Sequence, residues 1–116
     1  MALFKSGDNR EKHVQLVQDY MFEGEQLIQT YGLGSDFAAL TDRRLIFVGK
    51  IPLSKQTQIL TVPYSKIDEV GLEITGTLSL TNKVNVITRS EKHELEFDKL
   101  ADIKGFYMNL SKLICK

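Results

Sequence analysis

Apolar side chains recur at helical spacing near both ends of the chain and at two-residue spacing in between. Near the N-terminus Val14, Leu16, Val17, Tyr20 and Met21 follow the three and four spacing of one helical face, which predicts a helix over residues 8–22, ending before Gly24. Ser6 or Asp8 is placed to cap it, and Asp8 with Glu11 has capping-box spacing, with Asp where Ser or Thr is usual. Near the C-terminus Leu100, Ile103, Tyr107, Leu110 and Ile114 form a clearer stripe, widened by Phe106 and Leu113. That helix spans 99–116, with Asp98 a natural N-cap. Gly105 inside it costs about 1 kcal/mol against alanine. It either marks a close crossing of helix and strand or is simply tolerated.

From residue 25 to 98 the pattern changes to short β-rich runs separated by turn residues. Residues 26–31 form the first expected strand, and Gly32-Leu33-Gly34-Ser35-Asp36 supplies a reversal. Strands at 37–40 and 45–48 follow, joined through Thr41-Asp42-Arg43-Arg44 as a hairpin connection. Residues 49–56 form a loop containing Pro52, 57–62 a fourth strand, and Pro63-Tyr64-Ser65 a corner. In 67–74, Val70, Leu72 and Ile74 alternate with Glu69, Gly71 and Glu73, so one face is packed and one is wet. Residues 77–80 and 84–88 are either one bent strand or two, with Asn82-Lys83 a turn or a bulge. A last strand at 93–97 turns Leu95 and Phe97 inward and Glu94 and Glu96 outward.

A helix, about seven short antiparallel strands and a terminal helix, with turns at roughly ten-residue intervals, predict a mainly β sandwich or partly open barrel. The C-terminal amphipathic helix is placed to plug an open corner. A chain of 116 residues provides for a single domain of this kind. It divides into an N-terminal helical extension (1–22), the β-barrel (23–98) and the C-terminal helix (99–116).

Three local motifs carry a family resemblance. Glu23-Gly24-Glu25-Gln26 leads into the first strand, Leu40-Thr41-Asp42-Arg43-Arg44-Leu45-Ile46-Phe47-Val48 crosses the second hairpin, and Val62-Pro63-Tyr64-Ser65-Lys66-Ile67 makes the fourth corner. In this order and spacing they resemble the bacterial pleckstrin-homology (PH) domain families, over roughly residues 13–114. The resemblance implies a PH-like seven-stranded antiparallel sandwich or partly open barrel, capped by the C-terminal helix and carrying an extra N-terminal one. It also implies self-association, since bacterial PH domains of this kind are similar to proteins seen as rings or other homo-oligomers. The residue chemistry of the motifs is structural. Thr41 and Asp42 can bond back to the turn backbone, leaving Arg43 and Arg44 for solvent or carboxylates. Pro63 ends pairing at a sheet corner, and Tyr64 lays its ring on the core with its hydroxyl at the edge.

Eukaryotic PH domains bind phosphoinositides through basic residues between their first two strands. The equivalent loop here, residues 32–36, has no basic residue and one acidic one, so phosphoinositide binding is not expected. The cationic surface candidates are Lys50 and Lys55, flanking Ile51-Pro52-Leu53, together with Arg43 and Arg44. The two lysines around an apolar tip offer an alternative function, weak contact with an anionic membrane surface at about 1 kcal/mol each. Fifteen basic residues balance fifteen acidic ones, which leaves no sustained footprint for nucleic acid. Cys115 is the single cysteine, so neither a disulfide framework nor a Cys-based zinc site is expected.

Neither histidine points to catalysis: His13 is placed on the wet border of the first helix and His93 at a strand end, in phase with Leu95 and Phe97. No nucleophile elbow, phosphate-cradling loop or metal-ligand spacing is present. The expectation is a non-enzymatic module without cofactor or metal. Lacking a secretory-type apolar N-terminus or a run approaching the roughly 20 residues of a membrane span, it is expected in the cytoplasm. It would be a homo-oligomer that binds itself or protein partners, with Val14, Val17 and Met21 of the first helix as oligomer contacts.

Overall fold

The computed structural model of the chain describes residues 8–34, 36–51, 53–74, 80–99 and 101–115. Their order is α1 (Glu11–Gln18), β1 (Leu27–Leu33), β2 (Asp36–Thr41), β3 (Arg44–Lys50), β4 (Thr57–Pro63), a 3-10 turn (Tyr64–Lys66), β5 (Ile67–Ile74), β6 (Leu80–Thr88), β7 (Lys92–Glu96) and α2 (Ile103–Ile114). The seven strands make two antiparallel sheets, β1-β2-β3-β4 and β5-β6-β7. This is the expected PH-like sandwich with a helix at each end of the chain.

Local chemistry explains the connections. Gly34, at φ +71°, takes the left-handed conformation that the β1–β2 reversal needs, so β1 runs on to Leu33 and the expected five-residue loop contracts to a tight turn. In the β2–β3 hairpin the Thr41 hydroxyl accepts from the N–H groups of Arg43 and Arg44 at 3.0 and 3.1 Å, as its place in the turn predicted. Asp42 instead reaches across to the residue before β1, where its carboxylate accepts from Gln26 N–H at 2.9 Å. Pro63 closes β4 at the corner, and the Tyr64 hydroxyl donates to the Thr41 carbonyl at 2.6 Å while its ring rests on the core. Burial raises that phenol's pKa.

β6 is one strand. Its register against β5 shifts between Leu72↔Val84 and Ile74↔Leu80, so Asn82 and Lys83 sit at an irregularity and not at a turn. The expected strand at 77–80 lies mostly outside the described residues.

The main core fills the space between the sheets, where Tyr31, Leu40, Leu45, Val84, Val86 and Leu95 meet Phe106 and Leu110 of α2. A second cluster lies on the outer face of the four-stranded sheet, where Val17 of α1 joins Phe37, Ala39, Ile46 and Val48. β2 is thus covered on both faces, which accounts for the unbroken apolar run Phe37-Ala38-Ala39-Leu40 where a half-exposed strand would alternate.

Both helix starts differ from expectation. α1 begins at Glu11 after Arg10, whose side chain makes no cap bond. Asp8 lies further back, forms a bridge with Tyr31 and accepts from the Asp102 N–H at 3.0 Å; Ser6 lies outside the described residues. The cap of α2 is Asp102, which accepts from Gly105 N–H at 2.9 Å. Asp98 instead accepts from Gly34 N–H at 2.6 Å and pairs with Arg10 at 3.0 Å. Gly105 is neither a close crossing nor merely tolerated: a Cβ there would collide with the Asp102 carboxylate.

Candidate functional site

The motif residues converge on one buried ionic cluster. Gly24, at φ +84°, turns the chain so that Glu25 points under the start of β1, and β3 begins with Arg44 facing it. Arg44 holds the carboxylate with a fork, Nε to Oε2 at 2.9 Å and Nη2 to Oε1 at 3.0 Å. The Thr41 hydroxyl donates to Oε2 at 2.6 Å and Phe22 N–H to Oε1 at 2.8 Å. Burial alone would raise the Glu25 pKa, but the donors from Arg44, Thr41 and Phe22 outweigh it and hold it at about 2. Arg44 also donates to the Tyr20 carbonyl at 2.7 Å and to the Thr61 hydroxyl at 2.8 Å, and the Phe22 ring covers its guanidinium at 4.1 Å. Arg44 is therefore a buried strut and not a surface ligand contact; four of its N–H donors bond inside the fold.

The other expected contacts separate. Arg43, Lys50 and Lys55 are exposed. Lys50 and Lys55 flank a loop whose Leu53 stands out fully, 108% exposed at φ +63°. In the β1–β2 turn the Gly34 N–H is taken by Asp98. On α1, Val17 is 1% exposed and locked into the chain's own sheet, which removes it as an oligomer contact. Val14 and Met21 are half-buried.

The histidines fall on structural positions. His13 is buried, not on a wet border: it stacks on Phe37 with ring centroids 4.1 Å apart, and burial, helped by the positive charge of Arg10, lowers its pKa. His93 is half-buried, with Nε2 3.8 Å from the Glu91 carboxylate. Among the described residues no group of three or more His, Cys, Asp or Glu is placed to hold a metal ion, and no helix is long and apolar enough to cross a membrane.

Two features went unread in the sequence. One is a pair of open clefts beside β4. The first, about 510 Å³, runs from Leu60 to Pro63 and across to Lys66, Asp68 and the Thr88–Glu91 turn; the second, about 420 Å³, lies between Asp36, Lys50 and His93. The other is the exposure of apolar side chains: Leu16 and Tyr20, expected on one helical face with Val17, stand open while Val17 is buried, and Phe22 just after α1 and Ile59 on β4 are open too. Helical spacing points to them in retrospect. Leu16 and Tyr20 are four apart, as are His13 and Val17, so α1 and the turn after it carry two apolar sides and the sheet covers one.

The matches to known proteins follow this architecture. Residues 2–114 match the family described as "Bacterial PH domain". The chain is 27% identical over 107 residues to the uncharacterized protein YozO of Bacillus subtilis (strain 168), covering 92% of this chain and 94% of that one. It is 30% identical over 67 residues to the uncharacterized protein YjqA of the same organism, covering 57% and 54%. In fold it is similar to the pleckstrin homology domain from Shewanella amazonensis SB2B, with a TM-score of 0.72, 18% identity and 95% and 91% of the two chains covered. It is similar also to a DUF1696 family protein with a pleckstrin-homology domain from Shewanella loihica PV-4, with a TM-score of 0.73, 22% identity and 95% and 99% covered. With its fold, its three motifs and nearly its whole length accounted for, the chain belongs to the bacterial PH domain family, a non-catalytic scaffold.

Proposed function

We propose that this chain is an interaction module that associates with itself and through the same surface contacts protein partners. The observation that carries this reading is the exposed apolar group along and just after α1: Tyr20 and Phe22 each stand 54% exposed, with Leu16 four residues before Tyr20. Val17 and His13 of α1 already face the sheet, and the Phe22 ring, although it covers the Arg44 guanidinium, still leaves half of its surface to solvent. The cluster around Arg44 immobilises this surface by gripping the Tyr20 carbonyl and the Phe22 ring. A rigid aromatic patch loses little conformational freedom on binding, the property that makes Tyr and other aromatics frequent interface anchors. The balanced formal charge offers little repulsion between copies. Native mass from light scattering at micromolar concentration tests the reading. An oligomer that Leu16→Glu with Tyr20→Glu weakens supports it; a monomer for the unaltered chain overturns self-association.

A second reading rests on Leu53. A fully exposed leucine between Lys50 and Lys55 has the chemistry of a shallow anchor on an anionic bilayer, the two lysines adding about 1 kcal/mol each near the surface. Co-sedimentation with phosphatidylserine vesicles at low salt would show binding that Leu53→Ser weakens. No binding at low salt sinks it.

A further inference from the structure

We propose that α1 is an acid-released cover: a proton taken up by His13 lifts the helix from the outer face of the four-stranded sheet, while the sandwich between the two sheets stays folded.

α1 is the more lightly held of the two helices. Of its eight residues only His13 and Val17 are buried. Its N-cap residue, Arg10, makes no side-chain cap bond, and its last turn carries no basic residue to complement the carbonyl end. An isolated helix of this length is marginal in water, so α1 stays helical through its docking. α2, by contrast, is twelve residues long, capped by Asp102, and inserts Phe106 and Leu110 into the main core. The cluster that α1 covers is separate from that core and lies on the other side of the sheet. Opening of α1 therefore exposes one cluster without dismantling the other, the condition for a unit that opens on its own.

Half of what α1 buries depends on a proton. The His13 ring is 8% exposed and lies flat on Phe37, the two planes 10° apart. Its Nδ1 is buried and has no hydrogen-bond partner among the described residues. Thr30, which the register sets opposite Ala39 and so on the same outer face, buries a hydroxyl in the same condition. A neutral imidazole is accommodated there. An imidazolium would place a charge in the interface and leave an N–H at Nδ1 without an acceptor.

The surrounding charges oppose that proton on balance. Arg10 before the helix and Lys12 on it act against it; Asp98, after β7, favours it, but Arg10 already pairs with Asp98 at 3.0 Å. Glu11 is exposed and accepts from Gln15, and Asp36 lies on the opposite face of β2 from Phe37, where it accepts from Lys50 N–H. Burial and Arg10 outweigh Asp98 and the attraction of the Phe37 face for a cation, so the His13 pKa lies below its ordinary 6.5.

The sign follows. A released helix takes up the proton at the ordinary value and the docked one resists it, so docking is at full strength above pH 6.5 and weakens as pH falls below it. Over the range in which docked His13 stays neutral, each pH unit multiplies the open population by up to about ten. The opening segment lies between two anchors: Asn9 exchanges bonds with Thr30 on one side, and Arg44 grips the Tyr20 carbonyl on the other. Phe37, Ala39, Ile46 and Val48 are bared between them, so mild acid converts a covered face of the sheet into an apolar docking face.

Amide hydrogen exchange on the full-length chain, corrected for the intrinsic rate at each pH, tests this between about pH 7.5 and 5.5. Protection of the α1 amides from Val14 to Gln18 should fall roughly three- to tenfold relative to those of β6 and α2. The fall should be absent in His13→Phe, which keeps an aromatic stack and takes up no proton. Independently of any variant, the His13 ring resonances of the unaltered chain should titrate below 6.5 in an NMR titration. Protection in α1 that is constant with pH, that falls equally in His13→Phe, or that falls in step with β6 and α2 overturns the proposal, as does a His13 midpoint at or above 6.5.

Discussion

Arg44 makes contacts to Glu25, Tyr20, Phe22 and Thr61, so one side chain joins the segment after α1 to β3 and β4. Removing one partner of such a buried pair leaves the other charge uncompensated, at about 3–5 kcal/mol. The pH dependence has a definite sign. Glu25 is held at about 2 in the folded chain against an ordinary 4.5, so its contribution is complete above pH 4.5 and is lost as pH falls from there toward 2. That shift corresponds to about 3 kcal/mol. Glu25→Gln should lower the urea midpoint strongly at pH 7, and the gap from the unaltered chain should narrow at pH 3. A gap of equal size at both values would mean that the carboxylate's charge is not what the cluster uses. The sequence showed half of this arrangement. Thr41 in its turn is read from its type and position, but nothing in the periodicity selects Glu25 among fifteen acidic residues as the partner of Arg44. That pairing is set by the registers of β1 on β2 and of β2 on β3, which bring the entry to β1 beside the start of β3 and which only the folded sheet supplies.

At the scale of elements, strand order and type follow from alternation and turn residues, while helix ends do not. Asp98 and Asp102 stand four apart before the same apolar stripe and have equal capping chemistry in sequence. What separates them is tertiary: Asp98 is drawn away by Arg10 and by the Gly34 N–H, and Asp102 is left to cap. Gly105 then has a specific reason, because a methyl group there displaces the capping carboxylate. Three variants isolate the effect. Asp102→Ala should cost about 1 kcal/mol through loss of the cap. Gly105→Ala alone should change stability little, the helix-propensity gain of about 1 kcal/mol being offset by that same loss. Introduced on top of Asp102→Ala, it should recover the full gain. Urea denaturation of the set measures this coupling, and a full gain for Gly105→Ala alone would rule out the proposed conflict.

Over the whole molecule, α1 belongs to the core and is not an appendage to a minimal barrel. The apolar stripe in the sequence required a partner surface without saying whether that surface was this chain or another. The unbroken run 37–40 held the answer, since β2 needs cover on both faces and α1 provides one of them. The preceding residues tie the helix further. Asn9 exchanges bonds with Thr30 at 3.0 and 2.9 Å, Asp8 accepts from Asp102 N–H, and Arg10 pairs with Asp98, so this segment links β1 to the start of α2. Deleting residues 1–22 would uncover Phe37, Ala39, Ile46 and Val48, at about 1.5–3 kcal/mol for each large side chain returned to water. Against a total stability of about 5–15 kcal/mol, that is a large fraction. The truncated chain should melt roughly 10 °C or more lower and gain mass by non-specific association through the bared sheet. Leu16→Glu with Tyr20→Glu alters only the exposed side of the same segment, so it should leave the melting temperature nearly unchanged while weakening specific assembly. A truncated chain that stayed monodisperse with an unaltered melting temperature would show that the outer face does not depend on α1, and the apolar run of β2 would then need another cause.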